Sequence, residues 1–282
     1  MSTSRVAVVT DSTSYLPPEL AAEHGIEVVP LQVVIGGTAY DEGGGASSDT
    51  VAAALRSWTP VTTSRPGPAA FAQAYERAAA RGCDGVVSVH LSSQMSGTVD
   101  SAQLAAKESP LRAEVVDSGS LGMGLGFAVL AAARAAAAGA SVEDVAQTAS
   151  DRAQASAVIF YVDTLEHLRR GGRIGPAAAL LGSALSVKPL LHLVEGHIEP
   201  LEKVRTSSRA IARLEELAAQ RAGTGEVDVA VHHLANPDRA SALAERLRGR
   251  LPGLVDLHVS EVGAVVGAHV GPGMLAVVVA PR

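Results

Sequence analysis

Apolar runs that stop abruptly at polar residues recur along the chain, separated by Ala- and Leu-rich stretches with helical spacing. RVAVVTDS (5–12) is such a run, closed by Asp-Ser, and predicts a fully buried strand. PPELAAEHG (17–25) predicts a helix with Pro in its first turn and Gly at its end. IEVVPLQVVIGG (26–37) predicts one strand, or two short ones broken at Pro30. Helices are expected over 47–58, 68–82, 95–109, 121–139 and 141–156, and strands over 84–92 and 113–118. Strands that are continuously apolar, with helices between them, imply a parallel sheet covered on both faces. Ligands of such sheets bind beyond the carboxyl ends of the strands. Asp11-Ser12, His90 to Ser93 and Asp117-Ser118 all fall at such ends.

Beyond residue 150 the pattern changes. A strand is expected at 157–163, then a helix, a Gly-rich turn, an apolar helix and two strands around Glu195-Gly196-His197. A helix (207–223), a strand (226–235) and a helix (237–249) follow, and the chain finishes with strands around a Gly-rich turn. The expected fold class is α/β with two α/β domains, 1–150 and 151–282, the first built on a mainly parallel sheet.

Composition narrows the function. Of 282 residues, 47% are hydrophobic and only 3% aromatic, and the net charge is −6. Nucleic-acid surfaces need clustered Lys/Arg and stacking aromatics, so that class is set aside. The single Cys83 excludes an internal disulfide and reads as a small buried residue. The N-terminal residues lead directly into a strand, without the pattern of a secretion signal. The most apolar run, 121–133, falls short of the ~18 residues that span a membrane. The expected location is the cytoplasm.

Two hydroxyl-rich stretches remain, HLSSQMSGT (90–98) and TTSRP (62–66), each just ahead of a helix. A serine hydrolase would pair Ser93 with His90 or His269, but G-x-S-x-G is absent. A phosphate loop would need more glycines and a Lys. The histidines are scattered, and Asp11, Asp41, Glu42 and Asp49 read as caps and turns before they read as cation ligands. Ser92 or Ser93 is expected to cap a helix starting near Met95. That leaves hydroxyls over for capturing an anion such as a carboxylate.

VTDSTSYLPPEL, TTSRPGPAAFAQAYE, VHLSSQMSGTVDSA, VVDSGSLGMGLGF, DTLEHLRRGGRIG, VRTSSRA and GAHVGPGMLAV, in this order, resemble the blocks of the DegV family, fatty-acid-binding proteins that bacteria use with a fatty acid kinase. The resemblance implies two α/β domains of the EDD fold, with the ligand site at the domain interface. It implies a bound long-chain fatty acid and otherwise no cofactor, no metal, no catalysis by the chain itself, and a part in phospholipid synthesis. The carboxylate would be held by Thr63 and Ser93, with Ser64, Ser92 and His269 nearby. The acyl chain would enter an apolar tunnel in the C-terminal domain, involving Ile174, Leu180, Leu181 and Leu185. Arg173 and Arg205 match arginines associated with docking the kinase. The implied partners are the fatty acid and the kinase, with at most transient contact to a membrane. Arg65 stands where the family usually has Gln, and Gln94-Met95 and Val99 also depart from its pattern. A Ser-dependent hydrolase or phosphotransferase, and a lipid-responsive sensor, stay open as alternatives.

Overall fold

The computed structural model describes residues 5–180 and 188–282. The chain divides into two compact units, Met1–Gln32 with Ser64–Ala155, and Val33–Thr63 with Ser156–Arg282. A single cut at residue 150 is therefore corrected. The second boundary lies at Ala155/Ser156, and residues 33–63 belong with the C-terminal unit because their core residues pack there.

The first unit is a four-stranded sheet in the order β2 (Glu27–Val29), β1 (Val6–Asp11), β6 (Gly85–His90), β7 (Arg112–Asp117). Every pairing in it is parallel. Helices α3 (Pro68–Ala80) and α4 (Thr98–Ala106) bury Phe71, Tyr75 and Ala102 against Ala7, Val9 and Val86. Strand alternation turns Val8 and Thr10 to the opposite face. There α5 (Met123–Ala137) and α6 (Val142–Ala155) lie against the sheet, and α1 (Pro18–Glu23) stands between β1 and β2 in the chain. Burial on both faces explains why these strands read as unbroken apolar runs. Cys83 is half-buried at the edge of this core, where full burial was expected.

The second unit holds a six-stranded sheet in the order β10 (His197–Val204), β9 (Lys188–Val194), β8 (Ala157–Tyr161), β13 (Leu275–Pro281), β11 (Val227–His233), β12 (Leu254–Glu261). Its pairings are antiparallel except β11 with β12. Helices α8 (Ser207–Ala222) and α9 (Pro237–Arg250) bury Leu214, Leu217, Leu243 and Leu247 on one face. A three-stranded sheet, β4 (Thr38–Asp41), β3 (Gln32–Ile35), β5 (Val61–Ser64), accompanies α2 (Ser48–Arg56). Its Val33, together with Ala46 and Val51, packs on Ala264 and Ala268 of a short helix, α10 (Ala264–Val270).

Several sequence expectations change here. Pro30, which has no N–H to give a ladder, separates β2 and β3 into different sheets. The expected apolar helix after Gly175 is a 3-10 turn over Gly175–Leu180, whereas the strand expected ahead of Glu195 is present as Lys188–Val194. The expected terminal pair of strands is interrupted by α10. Among the described residues no helix is long and apolar enough to cross a membrane.

Candidate ligand-binding site

In the first unit the hydroxyl-rich loop follows β6. Helix α4 starts at Thr98, not near Met95, and its N-cap is Gly97 with no side-chain cap. Ser92, fully buried, instead closes a tight turn. Its Oγ accepts from Gln94 N–H at 3.1 Å, and its carbonyl accepts from the N–H groups of Met95 (3.0 Å) and Ser96 (3.1 Å). Ser93 is exposed, and its own N–H donates to Asp117 Oδ1 at 3.2 Å. Arg65 reaches this loop, with Nη1 3.4 Å from Gly97 O. Ser64 Oγ, just before it, donates to Arg65 O at 3.2 Å.

Beneath the loop lies a buried polar chain. Asp11, fully buried at the end of β1, accepts from Thr13 N–H (3.0 Å), Thr13 Oγ1 (2.5 Å) and Leu91 N–H (3.0 Å). His90 Nδ1 donates to its Oδ2 at 3.0 Å, which leaves Nε2 to accept from Ser88 Oγ at 2.7 Å. Ser88 Oγ accepts in turn from Tyr75 Oη at 3.0 Å, and burial pushes the Tyr75 phenol up to about 12. This is a Ser–His–Asp arrangement, but Ser88, His90 and Asp11 are sealed from solvent. A nucleophile must reach its substrate. His90 is thus committed to Ser88 and not to Ser93, contrary to the pairing a hydrolase would use.

In the second unit Thr63 lies on β5 and His269 on α10, and Thr63 Oγ1 is 2.9 Å from His269 Nε2. Burial, reinforced by the nearby Arg173 charge, pulls the His269 imidazole down to about 4, so it is neutral near pH 7. Its Nδ1 has no partner among the described residues and rests against Gly171, where a Cβ would overlap the ring. The pair borders a cavity of about 420 Å³ lined by Leu55, Trp58 to Thr63, His167, Arg170, Gly171, Arg173, Ala268 and His269. Among the described residues two arginines and two histidines line it, and no acid does. Trp58, 65% exposed, carries the Arg170 guanidinium 4.4 Å from its ring centre. Glu166 holds Arg170 from outside the cavity at 2.7 Å, and the Arg169 and Arg170 hydrogen bonds lower the Glu166 carboxyl to about 2.

Sequence reasoning singled out Thr63, His269 and Arg173, which the fold brings to one cavity. It missed Trp58, His167 and Arg170, whose only signals were a lone Trp and the basic LEHLRRGG stretch. Arg205 lies elsewhere, exposed just before the Thr206 cap of α8. Ile174 is half-buried and Leu180 buried, while Pro176, Ala178 and Ala179 are exposed. Leu181 and Leu185 lie outside the described residues. Of the acidic residues weighed as cation ligands, Asp11 is a hydrogen-bond hub and Glu42 Oε1 accepts from Val265 N–H at 2.8 Å.

A sequence profile of the DegV family, described as uncharacterised proteins, matches residues 5–282. A DegV domain-containing protein of Streptomyces coelicolor is 61% identical over 98% of this chain and 99% of its own. Two solved structures are similar over 99% of this chain and the whole of theirs. One is a DegV family protein from Thermus thermophilus described by its fatty acid binding (35% identity, TM-score 0.93). The other is DegV from Bacillus subtilis, described as a fatty acid binding protein (34% identity, TM-score 0.90).

Proposed function

Because the chain belongs to the DegV family, we propose that it binds a long-chain fatty acid by its carboxylate and presents that carboxylate to a separate fatty acid kinase, which forms the acyl-phosphate. The observation that carries the reading is the cavity, whose described lining holds no acid, with the Thr63–His269 pair at its edge and two arginines in its wall. A surface of that charge favours an anion. The fatty acid binding of the similar Thermus and Bacillus proteins supplies the ligand class.

Thr63 and Ser93 are the proposed carboxylate anchors, with Ser64, Ser92 and His269 as their neighbours. For the Thr63 hydroxyl to donate to a carboxylate, His269 must carry its proton on Nε2 and donate to Thr63 Oγ1. A neutral imidazole satisfies this, and burial keeps it neutral. Ser93 Oγ, exposed and without a partner among the described residues, is free to donate. Each buried CH₂ contributes ~0.8 kcal/mol, so the acyl chain supplies most of the affinity and the hydroxyls supply orientation. Ile174, Leu180, Leu181 and Leu185 are the proposed tunnel, and Arg173 and Arg205 the proposed kinase contacts. In this reading the chain performs no chemistry itself, works in the cytoplasm, and touches membranes at most transiently.

Protein purified from a bacterial host is expected to release a fatty acid into an organic extract, identified by mass spectrometry. Ser93→Ala is expected to weaken fatty acid binding about ten-fold or more, the loss of one hydrogen bond to a charged group, with the thermal midpoint nearly unchanged. ATP and fatty acid should yield acyl-phosphate only when the kinase is added. Lipid-free extracts with no measurable fatty acid affinity, or turnover by this protein alone that vanishes in Ser93→Ala, would overturn the proposal.

A further inference from the structure

The structure assigns Arg65 a role that the hydroxyls cannot fill. We infer that it is a specificity-determining residue, making capture of the ligand depend on the headgroup's negative charge. The inference rests on the fatty-acid reading above and adds a residue to it.

Arg65 follows Ser64 and lays its guanidinium on the backbone of Gly97, where a Cβ would overlap it. Its protein partners hold it weakly. Gly97 O is 3.4 Å away and Asp100 Oδ2 4.0 Å, and the Arg65 and Asp100 side chains are 54% and 69% exposed. An exposed pair of this kind contributes little, so most of the five guanidinium donors remain available.

Gly97 lies four residues after Ser93, at most about 14 Å even along an extended chain. The turn closed by Ser92 O shortens that distance further. A carboxylate on Ser93 therefore falls well within ~30 Å of Arg65, the Debye length at ~0.01 M salt. The acidic groups of this loop oppose such a ligand. Asp117 accepts the Ser93 N–H and Asp100 flanks the loop, so both repel an arriving anion. Arg65 offsets them. A headgroup without charge gains nothing from Arg65, so its contribution is read as a difference between acid and alcohol that the hydroxyl bonds do not supply.

The test titrates lipid-stripped, full-length wild type, Arg65→Gln and Arg65→Lys with a long-chain fatty acid and with the fatty alcohol of equal length, at low and high salt. For the acid at low salt, Arg65→Gln is expected to bind about three- to ten-fold more weakly than wild type, as one partly screened charge at this range allows. Its affinity should vary less with salt than that of wild type. Arg65→Lys should keep most of the wild-type behaviour, and alcohol binding should be the same in all three. Equal acid affinity and salt dependence in wild type and Arg65→Gln would overturn the inference while leaving the fatty-acid reading intact. Equal losses for acid and alcohol would also overturn it, because they would mark Arg65 as a packing residue. If wild type binds no fatty acid, the fatty-acid reading fails and the inference falls with it.

Discussion

Four side-chain hydroxyls lie between His90 and Thr98, and three of them are engaged inside their own loop. Ser92 closes the turn on Gln94, while Ser96 and Thr98 bond each other at 2.9 Å. Ser93 alone among these four keeps its hydroxyl outward, which is what an anchor requires. A comparable constraint governs Thr63, the other proposed anchor, because His269 can meet it only while Gly171 has no side chain. Gly171→Ala is expected to push the imidazole away from Thr63. Fatty acid affinity should fall about ten-fold, at a stability cost of about 1–3 kcal/mol for overpacking. Ligand titration beside urea denaturation checks this, and unchanged affinity would refute it. The family resemblance pointed to Thr63, Ser93 and His269 in the sequence, but it did not reveal their partners. Asp11, Ser88 and Tyr75 meet His90, and Arg170 meets Trp58, across chain separations that no local pattern encodes.

Elements with their own start and stop signals were legible from the sequence. Helix α3 begins with Pro68 at its first turn, and Ser141 Oγ accepts the Asp144 N–H at the start of α6. Elements defined by distant partners were not. Helix α10 is rich in Val and Gly, and Glu42, more than two hundred residues earlier, accepts its Val265 N–H. Strand β5 was hidden because its hydroxyls suggested a loop. The contact between α2 and α10 offers a test at this scale. Val51 is fully buried against Ala264 and Ala268, so Val51→Asp places an unpaired carboxylate there. Urea denaturation should show a loss of about 3 kcal/mol or more, and hydrogen exchange should rise in α10 before it rises in β1 or β6. Uniform protection in α10 would contradict this packing role.

At the scale of the whole chain, pH acts unevenly. Burial lowers the imidazoles of His167, His192, His232, His233 and His269, with His232 and His269 brought down to about 4. All five belong to the second unit. An unfolded chain protonates its histidines near pH 6.5. Between that value and about 4 the unfolded state therefore binds protons that the folded state refuses, and stability falls as pH falls. The loss should reach a few kcal/mol by about pH 5, above the range where most carboxylates protonate. A urea midpoint that does not move between pH 7 and pH 5 would refute it.

The path of the chain has a consequence for how the protein is made. The backbone passes from one unit to the other three times, after Gln32, Thr63 and Ala155. Neither unit is therefore a single uninterrupted message on the ribosome. Val33 and Val51 leave the exit tunnel long before Ala264 and Ala268, which cover them in the finished fold. Until Ala264 and Ala268 have been synthesised those apolar faces are client surface for chaperones, and the second unit cannot close before then.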